Sequence, residues 1–278
     1  MPAQTEQQHA MVEDVWRTYM MTGSPPDYVP MRWYEAKRFR RLLKYLPKDP
    51  RCKICGSPFS GVGSLLTNIL GKGPSKLNPK VCDICDRFAR RYQGGAEVEM
   101  TMLFADVRGS TSLAEHMSIS AFSQLINRFY QATTEVMIQS NALIDKLIGD
   151  EVAGMYVPGF AGPEHTRQAV EAAQKILLVT GHADPEGPWI PVGAGVHTGR
   201  AFVGAVGSSE GVTDITALGD MVNTAARLAS QAGPGEVIVS REAFAAAGLD
   251  AQLAEERRLQ LKGRSEPVDV CVLRVSPA

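Results

Sequence analysis

Strand and helix patterns alternate beyond residue 96 of this 278-residue chain, and this alternation limits the folds open to it. The apolar strand EVEMTMLFADV leads into the turn RGSTS, and a long helix is predicted from about Ser118. A hairpin, ALIDKLIG–DEVAGMYV, turns at a Gly-Asp tip and precedes the helix HTRQAVEAAQKILLVT. The order predicts an α+β fold of the ferredoxin-like βαββαβ type, with helices packed on an antiparallel sheet.

The remaining segments continue the alternation. Strands WIPVGAGVHTG and AFVGAVG are followed by the helix GDMVNTAARLASQ, which is predicted to begin after Ala217. The strand EVIVS, the helix REAFAAAG and the strands ERRLQL and VDVCVLRV then complete the chain. The helix from Ser118 should bury one apolar side, formed by Ile119, Phe122, Leu125, Ile126, Phe129, Val136 and Met137.

The first part of the chain is different in composition. A helix is predicted over residues 6–22, and a strongly basic one over RWYEAKRFRRLLKYL, within a helical segment spanning 1–49. A cysteine-containing module follows over 50–93, and the Gly94-Gly95 pair marks the boundary with a larger domain over 97–278. The prediction is thus a small helical N-terminal domain with a metal site, joined to the α+β domain.

Four of the five cysteines have the spacing of a metal site. Cys52 and Cys55 form one C-x2-C pair, and Cys82 and Cys85 form another after 26 residues. The Gly- and Pro-rich stretch between the pairs has too few apolar residues for a core of its own, so a metal would supply the missing stability. Zn²⁺ is the favoured metal, and an iron–sulfur cluster on the same thiolates is the alternative. Cys271, in VDVCVL, is interpreted as a core thiol.

Composition restricts the protein class. The chain is 44% hydrophobic and 21% charged, without an apolar run near the roughly 18 residues that span a bilayer. The polar, acidic start lacks the regions of a signal peptide, so a cytoplasmic protein is expected. Residues 1–95 have a formal charge of +8 and residues 96–278 a charge of −9. This asymmetry fits an electrostatic partner, attraction between the two parts or a solvated basic face.

Two aspartates stand where strands are predicted to end. Asp106 follows the strand MTMLFA, and Asp150 lies at the hairpin tip. Taken alone, the first could cap a helix and the second could serve only its turn. The two strand ends should nevertheless bring the carboxylates together, and close carboxylates call for cations such as a Mg²⁺ or Mn²⁺ pair. The backbone N–H groups from Val107 to Thr111, including those of Gly109 and Ser110, could then hold phosphate oxygens.

Three further polar residues suit a phosphorylated ligand. Lys146 lies four residues before Asp150 and shares a strand face with apolar neighbours, so it needs an acceptor unless it extends to solvent. Asn223 and Arg227 are spaced i, i+4 on one helix face. Arg227 could stabilise charge on a phosphate, although a surface salt bridge would explain the pair equally well in isolation.

Together these segments resemble the class III nucleotidyl (adenylyl/guanylyl) cyclase catalytic domain. The resemblance covers about residues 97–275, with five segments in the order and spacing of the family. The segments are LFADVRGST, KLIGDEVAGMY, VGAGVHTGRAFVGAVG, DITALGDMVNTAARL and LKGRSEPVDV. The implied activity is an adenylate cyclase that converts ATP to 3′,5′-cyclic AMP and pyrophosphate, by attack of the ribose 3′-OH on the α-phosphorus.

The resemblance implies a role for each site residue. Asp106 and Asp150, with the carbonyl of Val107, would hold two Mg²⁺ or Mn²⁺ ions. Lys146 and Thr216 would contact the purine, and Lys262 would bind the triphosphate. Asn223 would orient the ribose, and Arg227 would stabilise the transition state. Metal ligands and purine contacts come from opposite subunits in this family, so a homodimer with two shared sites is implied.

Thr216 departs from the common family pattern, which has an adenine-reading aspartate at this position. Nearby Asp214 would share its strand face and could substitute for that aspartate. Threonine here resembles a subgroup often responsive to bicarbonate. Lys146 favours ATP, because guanylyl members usually carry a glutamate there, but a guanylate cyclase stays an alternative. A rival hypothesis is a nucleic-acid- or protein-binding metal module with secondary cyclase activity, although few aromatics interleave the basic residues.

Overall fold

The computed structural model describes residues 6–29, 50–69, 71–208 and 213–275. The chain divides into two compact units. The first unit comprises Met1–Val98, Val157–Gly162 and Ala201–Leu218, and the second comprises Glu99–Tyr156, Pro163–Arg200 and Gly219–Ala278. The basic helix expected over RWYEAKRFRRLLKYL lies outside the described residues.

The described elements alternate as the sequence predicts. The helices are α1 (Glu6–Thr22), α2 (Gly61–Ile69), α3 (Asp83–Arg91), α4 (Ser110–His116), α5 (Ile119–Gln139), α6 (Pro158–Ala161), α7 (His165–Val179), α8 (Asp220–Gln231) and α9 (Arg241–Ala246). The strands are β1 (Gly94–Val107), β2 (Leu143–Ile148), β3 (Glu151–Tyr156), β4 (Val192–Gly207), β5 (Thr213–Leu218), β6 (Glu236–Ser240), β7 (Glu255–Leu259) and β8 (Val268–Arg274). The α+β fold is therefore confirmed.

The second unit is built on a sheet with the strand order β2-β3-β1-β4-β6-β8-β7. The β1–β3, β2–β3, β6–β8 and β7–β8 pairs are antiparallel, whereas β4 and β6 run parallel. Helices α5 and α7 pack on each other and against strands of this sheet. Ser118 caps α5 by accepting a hydrogen bond from the N–H of Ala121 at 3.2 Å.

Helix α8 lies unusually close to the sheet because Gly195 of β4 has no side chain. A Cβ at Gly195 would stand 2.2 Å from the N atom of Ala229 and 2.6 Å from the O atom of Ala225, both in α8. Leu228 of α8 packs into a buried apolar cluster with Ile238, Leu261, Val270 and Val272. This contact fixes the helix on which Asn223 and Arg227 lie.

The first unit gathers α1, the cysteine module, α6 and the β4–β5 hairpin. Trp16 of α1 is fully buried, donates from Nε1 to the O atom of Tyr92 at 2.7 Å and packs edge-on against Phe88 at 5.3 Å. Tyr19, one turn further on, contacts both Phe88 and Phe160 of α6. These aromatic contacts give the unit a core in addition to its cysteines.

Several details differ from the sequence predictions. The Gly94-Gly95 pair, predicted as a boundary, begins strand β1. The segments WIPVGAGVHTG and AFVGAVG form one strand, β4, rather than two. Part of the turn predicted as RGSTS begins the short helix α4. Ile119, assigned to the buried side of α5, is 91% exposed because it is the first residue of the helix and precedes its packed part.

Candidate functional site

Asp106 and Asp150 are brought together at the ends of neighbouring strands in the second unit. Asp106 lies opposite Glu151 in the β1–β3 pairing, and the N–H of Val107 donates to the O atom of Asp150 at 3.1 Å. Gly149 turns the hairpin with φ of 62°, a conformation that favours glycine. The strand ends that the sequence predicted to meet therefore do meet.

The charges around this turn fit a cation. The Arg108 guanidinium pairs with the Asp106 carboxylate and also donates to the O atom of Ser230 at 3.0 Å. Burial, followed by the negative charge of Asp150, raises the pKa of the Glu151 carboxyl above its ordinary value, whereas Arg108 and Lys146 lower it. Positive charge thus stabilises this acidic turn, and carboxylate oxygens are the ligands that Mg²⁺ and Mn²⁺ prefer.

The start of α4 lies directly after Asp106, Val107 and Arg108. Gly109 is its N-terminal cap residue, with φ of 67°, and a Cβ there would meet no atom within 4 Å. Ser110 and Thr111 begin the helix. The N–H groups of Val107 and Arg108 already donate to the O atoms of Asp150 and Pro191, at 3.1 Å and 2.8 Å, so they do not fit the predicted phosphate contact. The rest of the predicted backbone, from Gly109 to Thr111, is a left-handed turn followed by a helix start.

Lys146 lies on β2 of the same hairpin and is half-buried. The β2–β3 register shifts between Ile144 and Lys146, so a bulge at Asp145 interrupts the regular alternation. The Lys146 charge acts on Glu151, and its strand leads into the turn with Asp150.

Asn223 and Arg227 lie on α8, where Asn223 is exposed and Arg227 is half-buried. A Cβ at Gly263 would stand 3.4 Å from an Nη atom of Arg227, so the LKGRS loop runs beside this arginine. The same loop is joined to the start of α8 by an ion pair between Arg264 and Asp220. The structure thereby places exposed Lys262 in the loop beside Arg227.

Thr216 lies on β5 in the first unit, opposite Gly204 of β4. It is 6% exposed, and its Oγ1 donates to the O atom of Ala217 at 3.5 Å, which is a long and weak hydrogen bond. The hairpin also holds Asp214, two residues earlier on the strand.

The four cysteines of the first unit converge on one buried point. The Sγ atoms all lie within 4.8 Å of one another and belong to Cys52, Cys55, Cys82 and Cys85. The Cys55 and Cys82 sulfurs are 3.7 Å apart, close to the edge of about 3.8 Å that a tetrahedron with 2.3 Å Zn–S bonds would have. Gly56, with φ of 70°, completes the turn of the first pair, and α3 begins at the second pair.

Electrostatics within this cysteine cluster also favour a cation. Burial raises the pKa of the Cys52 and Cys85 thiols well above the ordinary value. Hydrogen bonds from Cys52 and Cys82 lower the pKa of Cys55. Several thiolates would be unstable together at a buried point without a positive charge, so the donor set fits a metal ion.

Sequence reasoning missed several neighbours of these residues. Arg108 follows the predicted site residue Val107, and Glu151 follows the predicted site residue Asp150. The sequence alone does not show that Arg108 and Glu151 take part in the same acidic turn. Asp220 and Arg264 are 44 positions apart, and only the folded chain shows their ion pair.

Residues 94–273 match the family described as Adenylate and Guanylate cyclase catalytic domain. The chain belongs to this family. No helix among the described residues has the length and apolarity needed to cross a membrane.

Two curated relatives named Adenylate cyclase are similar to part of this chain. A protein named Adenylate cyclase from Mycobacterium tuberculosis (strain ATCC 25618 / H37Rv) is 30% identical over 170 residues, which are 60% of this chain and 37% of the relative. An Adenylate cyclase from Anabaena cylindrica is 32% identical over 140 residues, which are 46% of this chain and 26% of the relative. The chain thus spans about a third of the length of these relatives or less.

Solved cyclase structures have the same fold. The adenylyl cyclase CyaB from P. aeruginosa has a TM-score of 0.56 and 25% identity, covering 65% of this chain and 95% of that one. The guanylyl cyclase Cya2 has a TM-score of 0.60 and 24% identity, covering 67% of this chain and 96% of that one.

Proposed function

We propose that this cyclase domain is an adenylate cyclase that converts ATP to 3′,5′-cyclic AMP and pyrophosphate. The observation that carries the proposal is the acidic turn where Asp106 and Asp150 meet beside the start of α4. An acidic cation site next to the backbone N–H groups at the start of a helix suits a nucleoside triphosphate.

The divalent-cation ligands in this proposal are the carboxylates of Asp106 and Asp150 and the carbonyl of Val107. Mg²⁺ or Mn²⁺ bound there would neutralise triphosphate charge and make the 3′-hydroxyl more acidic. Arg108 now pairs with Asp106, and it would have to share that carboxylate with a cation. The backbone of Gly109, Ser110 and Thr111 would hold phosphate oxygens beside them.

The helix α8 supplies positioning and charge in the proposed reaction. Asn223 would hydrogen-bond the ribose and so direct its 3′-oxygen toward the α-phosphorus. Arg227 would donate to phosphate oxygens as their charge increases in the transition state. Lys262, in the loop beside Arg227, would bind the triphosphate that leaves as pyrophosphate.

The choice of ATP rests on Lys146 and Thr216. Lys146 is a donor only, which suits an acceptor on the adenine edge, and Thr216 can donate or accept. GTP is the second candidate substrate, because the relatives and solved structures include both adenylyl and guanylyl cyclases.

The proposed assembly is a homodimer with two shared sites, to which one subunit gives the cation ligands and the other gives Asn223 and Arg227. In the first unit, Cys52, Cys55, Cys82 and Cys85 are proposed to hold a structural Zn²⁺, with an iron–sulfur cluster as the alternative.

The test is a turnover assay with ATP and with GTP, each with Mg²⁺ or Mn²⁺, on the wild-type protein and Asp106→Ala. We expect cyclic AMP as the main product and a fall in kcat of at least about 100-fold in Asp106→Ala, because the cation site loses a carboxylate.

The matched control is Glu171→Ala, which removes an exposed carboxylate from α7 and should keep the wild-type rate. Cyclic nucleotide formation that Asp106→Ala leaves unchanged would reject the site. Cyclic GMP as the main product would instead identify GTP, and not ATP, as the preferred substrate.

A further inference from the structure

The cysteine module is joined to the β4–β5 hairpin by polar contacts within the first unit. Lys53 lies between Cys52 and Cys55, and its Nζ atom is 3.0 Å from Oδ1 of Asp214 on β5. The Lys53 side chain is only 5% exposed, and that of Asp214 is 37% exposed. An ammonium group held this far from water needs an anionic or polar acceptor, and Asp214 provides one.

A second contact comes from the loop that precedes the other cysteine pair. Asn78 is 5% exposed, and its Nδ2 donates to the O atom of Thr213 at 2.9 Å. Its Oδ1 accepts from the N–H of Lys80 at 3.1 Å, and its backbone O accepts from the N–H of Val81 at 3.1 Å. Asn78 therefore has its side chain fixed by the loop that leads into Cys82.

The two loops hold adjacent residues of one strand. The first loop contacts Asp214 and the second contacts Thr213, while helix α3, which begins at the second cysteine pair, packs against β5. The loops are also linked to each other by a hydrogen bond from the N–H of Lys53 to the O atom of Lys80 at 2.9 Å. A metal on the four cysteines would cross-link the same two loops, so it would stabilise both contacts at once.

We propose that the metal-loaded cysteine module fixes the strand that carries Thr216, and that Lys53, Asn78 and Asp214 are positioning residues for nucleotide binding. This inference rests on the proposed purine contact of Thr216. Thr216 lies two residues beyond Asp214 on the same strand. A shift of β5 at Asp214 would therefore move the hydroxyl of Thr216, and hydrogen bonds lose strength steeply when their geometry changes.

The proposal assigns the module an effect on nucleotide affinity in addition to its effect on stability. Loss of the metal or of the Lys53–Asp214 pair should raise KM more than it lowers kcat, because the strand contributes to binding the base and not to the reacting phosphorus. It should also change the ratio of activity with ATP to activity with GTP.

The experiment compares Lys53→Ala, Lys53→Arg and Asp214→Asn in the full chain. Amide hydrogen exchange of residues 213–218 is measured without nucleotide, together with bound metal, and KM and kcat are measured with ATP and GTP. Because Lys53 is not a cysteine ligand, Lys53→Ala should retain the metal. Exchange at 213–218 and KM for ATP should both rise by about fivefold, and Lys53→Arg should restore most of each.

Two controls separate a local effect from a general loss of structure, and the Asp214→Asn variant tests the same ion pair from its other side. Lys76→Ala removes an exposed lysine from the same module and should match the wild type. Residues 268–274 of β8, in the second unit, should keep their exchange rate in every variant. Asp214→Asn removes the negative charge of the Lys53–Asp214 ion pair on strand β5, so it tests the contact without altering the cysteine loops.

Metal removal by a chelator, again without nucleotide, should accelerate exchange at 213–218 in the wild-type protein by at least as much as Lys53→Ala. Metal analysis in the same samples should report zinc in a colourless protein, whereas a brown protein after anaerobic purification would identify an iron–sulfur cluster. Either metal is consistent with the positioning role.

The outcomes against the proposal are distinct. Unchanged exchange at 213–218 in Lys53→Ala and after metal removal would show that the module does not hold the hairpin. Faster exchange with unchanged KM and unchanged ATP-to-GTP ratio would reject the positioning role. A wild-type protein without turnover would contradict the proposed function, and hydrogen exchange would still decide whether the module holds β5.

Discussion

Asp214 and Thr216 share a face of β5, but their side chains have different surroundings. Oδ1 of Asp214 accepts from Nζ of Lys53 at 3.0 Å and from the N–H of Ile215 at 2.9 Å. From the sequence alone, Asp214 could substitute for the adenine-reading aspartate that this chain lacks at position 216. The contacts favour Thr216 instead, because among the described residues its hydroxyl donates only to Ala217, at 3.5 Å, and it can exchange this weak hydrogen bond for a better one.

Lys146 is the residue by which purine choice can be tested. In Lys146→Glu, a donor becomes an acceptor, so we expect kcat/KM for ATP to fall by about 10-fold to 100-fold and the ratio of GTP to ATP activity to rise. Steady-state kinetics with both nucleotides measure this ratio.

Lys175→Glu makes the same charge change on the exposed side of α7 and serves as the control. If Lys146→Glu behaves like Lys175→Glu, then Lys146 does not read the base.

The individual site residues differ in how far the sequence could predict them. The meeting of Asp106 and Asp150 followed from two strands that end at one edge of a sheet, and the structure confirms that placement. The Lys53–Asp214 pair joins positions 161 residues apart. No periodicity links such positions, because their contact depends on how the cysteine module folds against the hairpin.

Strands and helices were predicted well where one residue pattern dominated. Helix α1 spans Glu6–Thr22, as its sequence indicates. The β2–β3 hairpin turns at Gly149, within the Gly-Asp tip that the sequence predicts. The sequence predicts two strands in place of β4, because the polar and glycine residues of HTGR interrupt the apolar pattern. In the structure Thr198 donates to the O atom of Met100 at 3.0 Å and is buried, so a polar residue continues the strand.

Three strands of the second unit are joined by an ion-pair network around Glu236 of β6. Arg257 of β7 donates to Glu236 at 2.8 Å and 3.1 Å, and Arg274 of β8 donates to it at 2.6 Å. Arg257 is the largest cause that lowers the pKa of Glu236 from 4.5 to about 2. A folded-state pKa below the unfolded value means that the network stabilises the protein above pH 4.5 and loses this effect as the pH falls toward 2.

Glu236→Gln should therefore lower the free energy of unfolding at pH 7 by about 1–2 kcal/mol, a value reduced for solvent screening. Urea unfolding at pH 7 and at pH 3 measures the effect, and the difference between variant and wild type should be smaller at pH 3. Glu171→Gln, on the exposed side of α7, should change stability little at either pH. An equal difference at both pH values would contradict the role of ionised Glu236.

At the scale of the whole molecule, family membership accounts for residues 94–273, and the cysteine module precedes that match. The first unit nevertheless includes the β4–β5 hairpin from inside the matched segment. The predicted boundaries, 50–93 and 97–278, assign the cysteine module and the β4–β5 hairpin to different domains. The folded chain combines them in one unit, because the hairpin belongs with the cysteine module on which it packs and not with its neighbours in sequence.

The proposed homodimer with two shared sites can be tested by complementation. Asp106→Ala removes a proposed cation ligand, and Arg227→Ala removes the proposed transition-state contact, so each variant alone should be nearly inactive. In a dimer of one chain of each kind, one site has both defects and the other has neither. After equal mixing and subunit exchange, about half of the dimers are mixed and each has one intact site, so about a quarter of wild-type activity should return.

Cyclic AMP formation is measured before and after mixing. A mixture as inactive as its components, although subunit exchange is shown by differently tagged chains, would mean that Asp106 and Arg227 act within the same subunit.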